Sequence, residues 1–360
     1  MAARLCAAFR TVRRQSRRLH PDRQAERADI CSRSEDAPMI LRTALAAAAL
    51  FAATPAMAQL VTAPWPDELS PEARAGLAAD DARPSEPASI EDRRVRAEAI
   101  QQAVGQPRLR RYGVRMADAE IAGVPVRIFT PGDALADGPV LLNLHGGGFL
   151  VDSGSITENA AVAALTGYRV VAVRYRLAPE HIFPAAADDA LAVYRALLAE
   201  HSPGRIGLYG TSAGAILAAE LVARLRAENL PQPGALGFFS GTADLTRAGD
   251  SVVLFLDPAS VASLVALYTG TRDPADVLIS PGRGRLAGWP PTLCLSSGRD
   301  FLLGATADFC RALDAAGVPS NLIVFDGLPH AFWSYIDAPE TDAAFAAMAR
   351  FFRGRLEETQ

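Results

Sequence analysis

The chain has 360 residues, half of them apolar, enough to bury a large core in one α/β domain carrying a small accessory cap. All 36 basic residues are arginines, so Schiff-base chemistry through a lysine is excluded. The formal net charge of −4 conceals an asymmetry, because residues 1–58 hold 10 arginines against 5 acids; the acidic remainder, without a basic stripe, argues against a nucleic-acid partner.

Residues 1–58 read as a leader. The early arginines (Arg13, Arg14, Arg17, Arg18) fit unstructured or untranslated sequence, with a nucleic-acid or membrane-surface tail as the alternative. Met39 then opens a signal-peptide pattern: Arg42, an apolar run from Ala44 to Ala53, and Ala56-Met57-Ala58 as an A-x-A cleavage site. The expectation is synthesis from Met39, cleavage near Ala58, and a periplasmic or secreted protein. The apolar run falls short of the roughly 20 residues that span a bilayer, so no stable membrane anchor is expected.

From Gln59 to about Arg110 the chain is rich in Pro, Ala and acids, with a helical stretch from Ile90 to Val104, and reads as an N-terminal cap arm. Residues 111–360 read as the main domain. Short apolar runs at Val124–Phe129, Val140–Leu144, Val170–Val173, Ile206–Tyr209, Leu236–Phe239, Leu293–Leu295 and Leu322–Phe325 predict strands. Helical patterns alternate with them at Ala185–Ala199, Ala213–Glu228, Ala305–Ala316 and Asp342–Arg355. The alternation predicts a mostly parallel sheet with helices on both faces. It breaks at about 241–285, an interval of the kind that forms a lid or cap. Beyond the leader only Cys294 and Cys310 remain, either bridged or two buried thiols. No Cys or His cluster has metal-ligand spacing, so no metal is expected.

Gly210-Thr211-Ser212-Ala213-Gly214 follows the run Ile206–Tyr209 and precedes a helical pattern. This is the G-x-S-x-G elbow in its strand-before, helix-after setting, which makes Ser212 a candidate nucleophile. A serine hydroxyl needs a base, and His330, after the last strand, stands where that chain order requires one. His181 and His201 lie in loops elsewhere. Asp300, after Leu293–Arg299, is the candidate acid that orients the base, with Asp244 and Asp326 as rivals. His145-Gly146-Gly147-Gly148-Phe149 follows a buried run, and its glycine amides, with the amide of Ala213, suit an oxyanion hole. Phe149 and Trp333, with Phe239, Phe255 and Phe301, are candidates to line an acyl pocket, although aromatic residues in such runs often belong to the core.

Six motifs stand in one order: His145–Phe149, Tyr175-Arg-Leu-Ala-Pro-Glu-His181, Gly210–Gly214, Trp289-Pro290-Pro291, Ser297-Gly-Arg-Asp300 and Leu328-Pro-His-Ala-Phe332. In this the chain resembles the hormone-sensitive-lipase-like family of bacterial esterases from about Pro125 to Arg353. The resemblance implies an α/β-hydrolase fold, a mostly parallel central sheet with helices on both faces and a small helical cap. It also implies a serine carboxylesterase acting on short- to medium-chain acyl esters without a cofactor, its partner being a small-molecule ester. Ser212, Asp300 and His330 fall on the family triad, and the amides of Gly146, Gly147 and Ala213 on its oxyanion hole. Two departures stand out. Thr211 occupies a position where many members carry aspartate, and Phe301-Leu302-Leu303-Gly304 replaces the usual Pro-Leu-Arg-Asp. A non-catalytic binding protein on the same fold, and a specialised deacetylase or amidase, are the alternatives; oligomeric state is not legible.

Overall fold

The computed structural model describes residues 64–81, 89–135, 137–247 and 249–357. The leader, with its signal-peptide reading and Met39, lies outside the described residues. In chain order the elements are α1 (Pro71–Asp81), α2 (Ile90–Tyr112), β1 (Arg115–Ile121), β2 (Val124–Thr130) and β3 (Val140–Leu144). Then come α3 (Asn159–Thr166), β4 (Arg169–Val173), α4 (Ala185–Glu200), β5 (Ile206–Thr211), α5 (Ala213–Ala227) and β6 (Ala235–Phe239). The chain closes with α6 (Asp250–Phe255), α7 (Pro258–Thr269), β7 (Thr292–Arg299), α8 (Leu303–Ala315), β8 (Ser320–Pro329) and α9 (Pro339–Leu356).

Among the described residues, eight strands form one sheet in the order β1-β2-β4-β3-β5-β6-β7-β8. β1 and β2, and β2 and β4, pair antiparallel, and every other neighbouring pair is parallel. Parallel strands need crossovers, and α4, α5 and α8 supply them on one face while α3 and α9 cover the other. The strands divide their side chains between two cores accordingly. Leu142, Val171, Leu208, Phe238 and Cys294 pack with α4, α5 and α8. Leu141, Val170, Tyr209, Phe239 and Leu295 pack with α1, α3 and α9. Burial on both faces explains why these strands read as continuous apolar runs, each fully buried Val, Leu or Phe contributing about 1.5–3 kcal/mol.

Three elements differ from the sequence reading. β1 was not predicted, because it is an edge strand with mostly exposed side chains and no apolar alternation. Helix α2 continues through Pro107 to Tyr112, and α3 forms without a side-chain cap on its first turn. The interval between β6 and β7 contains no strand among its described residues, and α6 and α7 give it the expected helical character. Cys294 and Cys310 are two buried free thiols, not a bridge. No helix among the described residues is long and apolar enough to cross a membrane.

Helix α2 reaches from the arm onto the loops around the carboxyl ends of the strands. Arg94 donates to the carbonyls of Leu150 and Ala178 and pairs with Glu180. Gln101 donates to Asp152 O and accepts from the Ile156 amide. Arg108, 2% exposed, donates to Thr157 O, Trp333 O and Ile336 O. A buried guanidinium with three carbonyl partners is satisfied where it sits, and deleting it would strand those carbonyls.

Candidate active site

The candidate residues come together at the carboxyl ends of β3, β5, β7 and β8, where ligands of open α/β sheets bind. Ser212 sits between β5 and α5 with φ +58° and ψ −122°, a strained conformation for a residue with a Cβ. It is held there by its own backbone. The Ser212 amide donates to Phe239 O, and its carbonyl accepts from Ala215 and Ile216. The elbow's glycines follow from close approach: a Cβ on Gly210 would lie 2.1 Å from Gly214 O, and one on Gly214 only 1.9 Å from Leu144 O.

His330 lies on the loop after β8, with Nε2 2.9 Å from Ser212 Oγ. Its Nδ1 is 2.6 Å from Asp300 Oδ1. Asp300 is fully buried and accepts from the Leu302 amide at 2.8 Å and from Ser296 Oγ at 2.6 Å. Burial pushes its carboxyl pKa up, but the facing His330 and the donated hydrogen bonds outweigh that, and the group ends below its ordinary value. A carboxylate so held can fix which imidazole nitrogen carries the proton, leaving Nε2 free to accept from the serine. The two rival acids are engaged elsewhere: Asp244 with Thr246 and Arg283, Asp326 with the Gly327 amide.

The loop after β3 faces this pair. Among the described residues none accepts a hydrogen bond from the amides of Gly146, Gly147 or Ala213. Three unspent N–H groups beside a serine Oγ suit a developing oxyanion. Gly147 has φ +119°, and a Cβ there would lie 2.0 Å from Val151 O, so the loop cannot adopt this shape with another residue. His145 is a support beneath it. Its ring stacks on Tyr175 at 4.1 Å and its Nδ1 donates to Gly146 O at 2.8 Å. Burial lowers its pKa, which keeps the ring neutral.

A cavity of about 460 Å³ opens over the serine. Phe149 and Phe301 stand in its wall with Ile216, Val252, Leu264 and Tyr268. Phe149 stacks on Tyr268 at 3.5 Å, and Phe301 lies against the His330 ring at 4.1 Å. Trp333 corrects the sequence expectation. It is fully buried, edge-on to Phe239 and Phe332 in the core under α9, and has no share in the cavity. Phe239 is likewise core, and Phe255 is outside the wall. Tyr268 was missed because it is a lone aromatic in an interval without strand periodicity. Glu158 was missed as well. It is buried under the elbow, accepting from Thr211 Oγ1 at 3.0 Å and from Ser334 Oγ.

With this geometry in view, comparison with known proteins places the chain in a class. A model of the family described as alpha/beta hydrolase fold matches residues 141–334, and the chain belongs to that family. Within it, the protein is an enzyme, a hydrolase of the hormone-sensitive-lipase-like esterases. Among individual proteins it is similar to an acetyl-hydrolase of Streptomyces hygroscopicus, 33% identical over 278 residues, covering 73% of this chain and 90% of that one. It is also similar to the carboxylic ester hydrolase LipN of Mycobacterium tuberculosis, 30% identical over 284 residues, covering 71% of this chain and 72% of the relative. A crystal structure of an esterase from the bacterial hormone-sensitive lipase family matches with TM-score 0.71 and 30% identity, covering 80% of this chain and 99% of the other.

Proposed function

We propose that the protein is a serine carboxylesterase that hydrolyses short- to medium-chain acyl esters through an acyl-enzyme. The observation that carries this reading is the continuous relay Asp300–His330–Ser212, at 2.6 and 2.9 Å, beside three amides without acceptors among the described residues. His330 Nε2 takes the hydroxyl proton as Ser212 Oγ attacks the ester carbonyl carbon. The amides of Gly146, Gly147 and Ala213 hold the oxyanion, each worth about 3–4 kcal/mol of transition-state stabilisation. The imidazolium returns the proton to the departing alkoxide, which leaves as the alcohol. Water then attacks the acyl-enzyme with His330 again as base, and Ser212 is regenerated with its proton.

The chain-length preference rests on the cavity. At about 460 Å³ it lies inside the range of small-molecule sites, roughly 300–1,000 Å³, and its wall is mostly apolar. The likeness to an acetyl-hydrolase supports the short end of the range. The substrate is a small neutral ester, and no cofactor takes part. The deciding experiment is hydrolysis of p-nitrophenyl esters from acetyl to palmitoyl. Turnover peaking at acetyl to hexanoyl supports the reading, and a peak at palmitoyl, or no turnover at all, would overturn it.

A further inference from the structure

Glu158 precedes α3, is 2% exposed, and does not line the cavity over Ser212. Its Oε2 accepts from the hydroxyl of Thr211, the residue before Ser212, at 3.0 Å. Its Oε1 accepts from the hydroxyl of Ser334, on the 3-10 turn Phe332–Ser334 that follows His330. We propose that Glu158 is a positioning residue, a brace that ties the Ser212 elbow to the His330 loop and so fixes the separation of Oγ and Nε2. The proposal rests on the reading of Ser212 and His330 as nucleophile and base.

Three observations bear on it. The two loops leave β5 and β8, which β6 and β7 separate in the sheet, so no ladder hydrogen bond joins them. Glu158 and one of its two partners are themselves held, because Arg108 donates to Thr157 O at 2.9 Å and Trp333 O at 2.7 Å, the residues next to Glu158 and Ser334. The third concerns residue type at position 211. Above pH about 7, where Glu158 is ionised, its carboxylate needs a donor opposite it, which threonine supplies, whereas a carboxylate at 211 would face another between two buried residues. Like charges in such a place disfavour one another strongly.

The brace therefore predicts a coupling between positions 211 and 158 that a loose structural role would not produce. The full chain and its variants are assayed with p-nitrophenyl butyrate above pH about 7, where Glu158 is ionised. Glu158→Ala and Thr211→Val are expected to lower kcat about ten-fold with KM within about two-fold, because a sub-ångström displacement of the reacting atoms costs rate and not binding. Thr211→Asp should cost about a hundred-fold. Adding Glu158→Gln to Thr211→Asp removes the facing charge and should restore about ten-fold of that loss. A double variant no faster than Thr211→Asp, or Glu158→Ala with native kcat, overturns the brace. Should Thr211→Asp fail to fold, as a circular dichroism melt would reveal, Thr211→Val and Glu158→Ala decide alone. Ser212→Ala runs in parallel: full activity there overturns the nucleophile assignment, while an inactive Ser212→Ala beside a native-rate Glu158→Ala overturns the brace only.

Discussion

At the scale of single residues, the relay makes unequal demands on its members. Ser212→Ala removes the atom proposed to attack, and kcat on p-nitrophenyl butyrate is expected to fall by at least about ten-thousand-fold. Asp300→Asn keeps the shape but offers an amide where His330 Nδ1–H needs an acceptor, so a loss of about a thousand- to ten-thousand-fold in kcat with nearly native KM is expected. Native kcat in either variant would remove the residue from the mechanism. These residues were legible because elbow, base and acid each carry a local pattern and a fixed chain order. Trp333 was not, since an aromatic three residues after His330 has the same sequence signature in a cavity wall as under a helix. Glu158 was hidden for another reason. Its partners, Thr211 and Ser334, are 53 and 176 residues away, and nothing in a lone acid between threonine and asparagine announces them.

Among the elements, the elbow and the cap serve opposite purposes. The elbow is rigid by close packing, and the cap helix α7 contributes side chains that set the cavity's shape, Leu264 and Tyr268 among them. Each methylene transferred from water into an apolar cavity is worth about 0.8 kcal/mol, or roughly four-fold in kcat/KM. Leu264→Phe should therefore shift the preferred acyl chain shorter, and Leu264→Ala longer, with little change on the acetyl ester. Identical chain-length profiles in both variants would exclude Leu264 from the acyl-binding wall. Element type was readable wherever burial leaves a continuous apolar run, as in β3 and β5, or a helical repeat, as in α5. It failed at β1, whose exposed side chains leave no period to read. The helical stretch read from the sequence stops at Val104, whereas α2 runs on through Pro107 to Tyr112; a proline removes one N–H from a helix, and just beyond it Arg108 is anchored to Thr157 O, Trp333 O and Ile336 O.

For the molecule as a whole, the buried acids couple folding to pH. Burial lifts the Glu158 pKa to about 7 from an ordinary 4.5, against the hydroxyls of Ser334 and Thr211 and the charge of Arg108. Between those values the folded protein keeps a proton that the unfolded chain releases, so this contribution is complete below pH about 4.5 and is lost as pH rises through about 7. The difference amounts to about 3 kcal/mol. Thermal melts of Glu158→Gln should accordingly show a weaker fall of Tm from pH 4.5 to 7.5 than the native protein, and parallel curves would contradict the assignment. We also propose that the chain is exported. Expressed from Met39 in a bacterial host, it should be recovered outside the cytoplasm with Gln59 at its amino terminus, and N-terminal sequencing of a cytoplasmic product that retains Met39 would refute this.

The grip of α2 has a temporal consequence. Arg108 is made early, yet two of the carbonyls it holds, Trp333 O and Ile336 O, come 225 and 228 residues later. A growing polypeptide cannot close that contact until almost all of it has left the ribosome, and contacts of such sequence separation are slow to form. Esterase activity should thus be the last property to return on refolding from denaturant, lagging the recovery of secondary structure, and it serves as a clock for the completed tertiary structure.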